Sequence, residues 1–193
     1  MRSYLFLFLI LLPWAVNAQK LHYDVILMDK KIGTMVVSKI PDAGGERYLL
    51  SSETSAKVLF IKQDSKIAFD VLYKGGHLIS SMYKSEKKDD NILTHVEKND
   101  AHYKVSYNNK LSYVKNNITF SSIQLYFREP VGVSSIFVER IGNFLTLKKN
   151  GSNEYEYLQP DGTRSIYRYQ NGKLKEVELK RSMGSVYIRP VQA

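Results

Sequence analysis

Cysteine is absent from the 193 residues. The chain can therefore form no disulfide, offers no thiol nucleophile or thiolate metal ligand, and lacks the residue on which bacterial lipoproteins are acylated. Nucleophiles are limited to Ser, Thr and the acids. No Gly-x-Ser-x-Gly elbow, no Ser-x-x-Lys beside a plausible partner set and no Gly-rich phosphate loop occurs. Internal repeats, low-complexity segments and linkers are also missing, helical runs are scarce, and after the first 18 residues no stretch is apolar enough to span a bilayer. With no catalytic, metal or nucleotide motif present, we read the mature protein as a non-enzyme with no cofactor and no metal.

What is present begins with a leader. Met1-Arg2-Ser3 is a short positive start and Tyr4 to Leu12 is nearly unbroken apolar sequence. Pro13-Trp14-Ala15-Val16-Asn17-Ala18 closes it, with Val16 and Ala18 at minus three and minus one of a cut before Gln19. The apolar core of about 13 residues falls short of the roughly 20 that a spanning helix needs. Residues 1–18 are thus expected to be a cleavable signal peptide, and residues 19–193 a single exported β-rich domain. An exported domain of this size without disulfides points to a bacterial periplasm or the cell exterior. Loss of Arg2 leaves 27 basic residues against 19 acids, a surplus of +8. In the cytoplasm that surplus would raise nucleic acid as a partner. For an exported protein we exclude nucleic acid, and the available anions are lipid head groups, envelope glycans and other proteins.

The mature sequence is a succession of short runs rich in β-branched and large apolar residues, broken by turn chemistry. Leu21 to Met28 and Ile32 to Ile40 flank Asp29-Lys30-Lys31, and Ile67 to Tyr73 and His77 to Tyr83 flank Lys74-Gly75-Gly76. Ile92 to Glu97 and Ala101 to Tyr107 form a further hairpin around Asn99-Asp100, followed by a less regular polar stretch from Asn108 to Asn117. Ser121 to Phe127 reads either as two helical turns with a serine cap or as one more strand, and Glu129-Pro130-Val131-Gly132 ends it. Asn150-Gly151, Asp161-Gly162 and Asn171-Gly172 lie within 23 residues, and such dipeptides between β-like runs are strong hairpin signals. The fold class is therefore all-β: a mostly antiparallel meander whose curved sheet forms a barrel, a half-barrel or a sandwich, with at most one short helix near 121–127.

Four features together resemble a family of small exported bacterial proteins of unknown function. They are the leader, the hairpin from Tyr23-Asp24-Val25 to Ile32-Gly33-Thr34, the stretch Tyr126-Phe127-Arg128-Glu129-Pro130, and the meander through Asp161-Gly162, Tyr167-Arg168-Tyr169 and Asn171-Gly172. The resemblance covers nearly the whole mature chain. It implies an exported, β-rich domain and assigns no site residues.

Two patterns invite a chemical reading. A two-residue loop at Asn99-Asp100 would put His95, Glu97, His102 and Lys104 on one face of its hairpin. Two imidazoles and a carboxylate suit zinc, but the alternation is that of any half-buried hairpin and Lys104 would repel the ion, so we assign no metal site. The second pattern rests on two-residue turns at both Asp161-Gly162 and Asn171-Gly172. Tyr155, Tyr157, Ile166, Val177 and Leu179 would then share a face with Arg164, Arg168, Lys173 and Lys175, with Glu154, Glu156, Glu176 and Glu178 on the other. A one-residue slip would scramble this assignment.

On that register Tyr155, Tyr157, Arg164 and Arg168 form the candidate ligand-binding face. The expected function is a non-enzymatic binding module for an anionic amphiphile or lipid, with its head group on the arginines. The alternative is a structural or interaction protein of the cell envelope that contacts another protein or a polyanion. A cavity discriminates them: an apolar pocket with convergent arginine favours the carrier, a filled core with flat sheet faces the interaction protein.

Overall fold

Period-two alternation runs through the strands and decides which side of each faces inward. Along Ile92-Leu93-Thr94-His95-Val96-Glu97, the residues Ile92, Thr94 and Val96 are buried while Leu93, His95 and Glu97 are exposed. The structure is a computed structural model describing residues 18–58, 61–88, 90–181 and 184–191. The expected leader, apart from Ala18, lies outside the described residues.

Among the described residues fifteen strands follow in order: β1 (Gln19–Leu27), β2 (Lys30–Asp42), β3 (Gly45–Val58), β4 (Ile61–Lys74), β5 (His77–Lys87), β6 (Ile92–Asn99), β7 (His102–Tyr107), β8 (Lys110–Val114), β9 (Ser135–Val138), β10 (Asn143–Thr146), β11 (Lys148–Asn150), β12 (Glu154–Leu158), β13 (Arg164–Gln170), β14 (Lys173–Arg181) and β15 (Gly184–Pro190). Thirteen of them make one antiparallel sheet in the order β11-β12-β13-β14-β15-β1-β2-β3-β4-β5-β6-β7-β8, and β9 and β10 form a separate hairpin. The pairing of β15 with β1, which sets Val25 against Ile188, joins the two ends of the domain. β8 and β11 are the free edges, so the sheet is open rather than a closed barrel.

The all-β expectation holds, and the segment between the free edges completes the architecture. Within it, Ser122–Tyr126 is a short 3₁₀ helix, which resolves the helix-or-strand alternative at Ser121 to Phe127. The Gln124 carboxamide accepts a hydrogen bond from the Ser121 backbone N–H at 3.1 Å. Ile118, Ile123, Leu125, Ile136 and Phe137 of this segment are wholly buried and belong to one core with Val37, Val71, Val96 and Val177 of the sheet. The sheet therefore wraps around residues 118–147, and its interior is filled. Each such side chain contributes about 2 kcal/mol relative to exposure, so sheet and inner segment hold one another.

Turn chemistry departs from expectation in three places. Asn171 (φ 53°) and Gly172 (φ 72°) make the expected two-residue turn, but Asp161-Gly162 sits inside a five-residue connection from Gln159 to Thr163. The β6–β7 loop is Asp100-Ala101, which pairs Glu97 with Lys104 and His95 with Ser106. That is a slip of two from the expected register, so the four polar residues keep their common face. Asn108 and Asn109, with φ of 44° and 66°, turn the chain into β8, where the sequence had read as irregular.

Candidate functional site

The expected binding face is not assembled. Glu154 pairs with Arg168, Tyr155 with Tyr167 and Tyr157 with Ser165, one residue away from the expected register. A bulge between Arg168 and Tyr169 then shifts the next strand pair, setting Ile166 against Glu178 and Arg168 against Glu176. Tyr155 and Tyr157 therefore point into the core, at 1% and 5% exposure, while Arg164 and Arg168 lie on the outside. The expected separation of charge by face is overturned as well, because arginines and glutamates share the outer surface. Arg168 donates to Glu154, Glu176 and Glu178 at 2.8, 2.7 and 2.8 Å, and Arg164 donates to Glu156 at 3.1 Å.

The inward tyrosines bind the inner segment. Tyr169 donates its hydroxyl to the Leu125 carbonyl at 2.7 Å, Tyr155 donates to the Glu129 carboxylate at 2.9 Å, and the Ile118 N–H donates to Tyr103 Oη at 3.4 Å. Burial and the Glu129 carboxylate push the Tyr155 phenol up to about 12, so it stays a donor at physiological pH. Pro130 opens a turn centred on Val131-Gly132, closed by the Val133 N–H on the Pro130 carbonyl at 3.2 Å, and Glu129 precedes it.

Inside lies a serine–carboxylate pair. Ser122 donates its hydroxyl and its N–H to Glu139 Oε2, and the Ile123 N–H donates to Oε1 at 3.3 Å. Glu139 is wholly buried, and burial pushes its carboxyl above the usual range against the pull of these donors. The pair satisfies the start of the 3₁₀ helix across the core. Among the described residues no three His, Asp or Glu side chains come together as metal ligands.

A recess open to solvent lies at one end of the sheet. In an antiparallel meander, the connections after β5, β12 and β14 fall at the same end. There a cleft of about 350 Å³ is lined by Lys87 from β5, Asp90 from the β5–β6 connection, Arg181 from β14, and Asp161, Gly162 and Thr163 from the β12–β13 connection. Arg140, from the β9–β10 turn, also lines it and donates to Gln159 Oε1 at 2.6 Å and Asp161 Oδ2 at 2.8 Å. Asp161 also accepts the Thr163 N–H at 2.9 Å, so its carboxylate shapes the loop and holds Arg140 at once. Sequence reasoning missed this recess. Lys87 stood in a charged loop, Arg140 and Arg181 carried no local signal, and only the wrapped sheet brings them together.

Comparison with known proteins gives a family and a fold. The profile of a family described as a domain of unknown function, DUF6134, matches residues 23–191. No curated protein matches. Among solved structures, the chain is similar to a β-barrel-like protein of the domain of unknown function DUF1849 from Brucella abortus. The TM-score is 0.59 at 12% identity, covering 92% of this chain and 96% of that one. At that identity the likeness shows the fold alone.

Proposed function

This chain belongs to the DUF6134 family of domains of unknown function, and from that starting point we propose that it is a non-enzymatic interaction module of the bacterial cell envelope. In this reading it meets another protein or a polyanion with its outer surface and encloses no amphiphile. The observation that carries the reading is the filled interior. Ile118, Ile123, Leu125, Ile136 and Phe137 occupy, at zero exposure, the space in which a barrel-type carrier would hold an acyl chain. Well-packed interiors have no spare volume of that size.

The outer surface adds support. A shallow groove of about 410 Å³ crosses β1 to β4, where Lys20, Ser38, Leu49 and Asp70 stand in one cross-strand row and Val36 and Ser51 in the next. A mixed floor of Val36, Leu49, Ser38 and Ser51 with a charge at each end suits a protein contact. The basic surplus favours acidic partners.

A photo-crosslinking residue at Leu49 tests this in cells. Discrete crosslinked species are expected from Leu49 and none from Ile123 in the core. Stoichiometric, saturable uptake of a fluorescent fatty acid, with no crosslink from Leu49, would overturn the reading in favour of a carrier.

A further inference from the structure

We propose that the cleft between Lys87, Arg140 and Arg181 is a binding site for a phosphate monoester group. The inference is separate from the outer-surface reading and stands or falls without it.

Three cations from distant parts of the chain face one recess of about 350 Å³. Among the described residues, Lys87 and Arg181 form no ion pair within 4.0 Å, while Arg140 is held through one terminal guanidinium nitrogen by Gln159 and Asp161 and also interacts with the Tyr83 hydroxyl. Packing like charges together raises the energy of the empty site. Lys87 registers that cost: burial first, then the Arg181 and Arg140 charges, holds its ammonium below the ordinary lysine range, while Asp90 and Asp161 only partly offset them. A bound anion removes the repulsion.

The donor set selects the anion. Against Asp90 and Asp161, the three cations leave the recess with a positive surplus, and the ammonium and guanidinium donors of Lys87 and Arg181 with those of Arg140 call for at least three acceptor oxygens, which a phosphate monoester supplies and a single carboxylate does not. The volume exceeds that of phosphate itself and leaves room for a small esterified alcohol. Arg140 is pre-set by Gln159 and Asp161, so its guanidinium loses little freedom when the ligand arrives.

The group could be carried by a free metabolite or by a lipid head, and the experiment separates them. Residues 19–193 would be titrated with inorganic phosphate and glycerol 3-phosphate by calorimetry, and sedimented with phosphatidylcholine vesicles with and without phosphatidic acid. Saturable binding of glycerol 3-phosphate without vesicle co-sedimentation identifies a free ester, whereas co-sedimentation dependent on phosphatidic acid identifies a head group. In either case, Lys87→Gln and Arg181→Gln should each weaken binding at least tenfold. Lys173→Gln, at the opposite end of the sheet, should leave it unchanged. Without ligand, Lys87→Gln should melt at the same temperature as the parent or higher, because it relieves repulsion. Affinity should also fall on alkalisation at a lower pH than an ordinary lysine would dictate, since Lys87 gives up its proton early among Arg140, Arg181, Asp90 and Asp161. No saturable binding of either ester, or binding undiminished in both cleft variants or equally diminished in Lys173→Gln, would overturn the proposal.

Discussion

Arg168 and Tyr155 lie on opposite faces of one sheet, because the residue across from Arg168 is Glu154 and not Tyr155. The guanidinium is thereby the hub of an outer cluster with Glu154, Glu176 and Glu178, and Arg189 bridges to Glu176 at 2.7 Å. Removing the hub leaves three carboxylates facing one another, one of them, Glu178, only 9% exposed. Arg168→Leu should therefore destabilise the domain by about 2 kcal/mol in chemical denaturation at pH 7. That is less than the loss of a fully buried pair, since the arginine side chain keeps 35% of its surface.

The same cluster fixes a pH dependence. Burial pushes the Glu178 carboxyl up, but hydrogen bonds from Arg168 and Ser185 outweigh it and hold it below 4.5. A depressed carboxyl contributes stability that is present above the unfolded value and lost as pH falls through the folded one. The gap between wild type and Arg168→Leu should thus narrow on acidification below about pH 4.5. A gap that widens would mean that the cluster is not the source.

Glu139 behaves oppositely. Its carboxyl is raised by burial, so the folded state holds the proton more tightly than the unfolded chain, and stability falls as pH rises from 4.5 through the raised value. Glu139→Gln keeps one acceptor oxygen, for Ser122, loses the one that Ile123 uses, and carries no charge, so its stability should be lower but flatter over that range. Glu139→Leu should cost about 1–3 kcal/mol, the penalty of orphaning buried donors. Equal losses in both variants would refute the capping role.

Two glycines separate conformational freedom from space. Gly172→Val forces a β-branched residue to φ 72° and should cost about 1–2 kcal/mol, whereas Lys173→Val at the exposed neighbouring position should be near neutral. At Gly33 a Cβ would stand 2.1 Å from the Glu53 carbonyl oxygen, so Gly33→Ala should cost about 1–3 kcal/mol by displacing β3. Thermal melts of the three variants check the order.

The all-β meander was legible because alternation and turn dipeptides are local signals, and Asn171-Gly172 acts as its sequence suggests. Asp161-Gly162 does not, because the Asp161 carboxylate is recruited by the Thr163 N–H and by Arg140, a residue 21 positions away that no local reading connects to it. That lengthened loop moves the register by one, and a shift of one exchanges the faces of Tyr155 and Arg168. The bulge at Arg168/Tyr169 is equally silent in the sequence. The inner segment escaped for another reason: Ile118, Phe120, Ile123, Leu125 and Phe137 follow neither period two nor period 3.6, since they fill a space shaped by the sheet. The cation cleft depends on all of these and was beyond reach of the sequence.

Native mass spectrometry of the protein purified from the cells that make it tests the central claim, that the sheet encloses its own chain and not an amphiphile. The account predicts the mass of the polypeptide, bare or with one small phosphate ester removable by desalting. A species carrying an acyl chain, retained at one per protein through desalting and retained equally by Lys87→Gln, would contradict it.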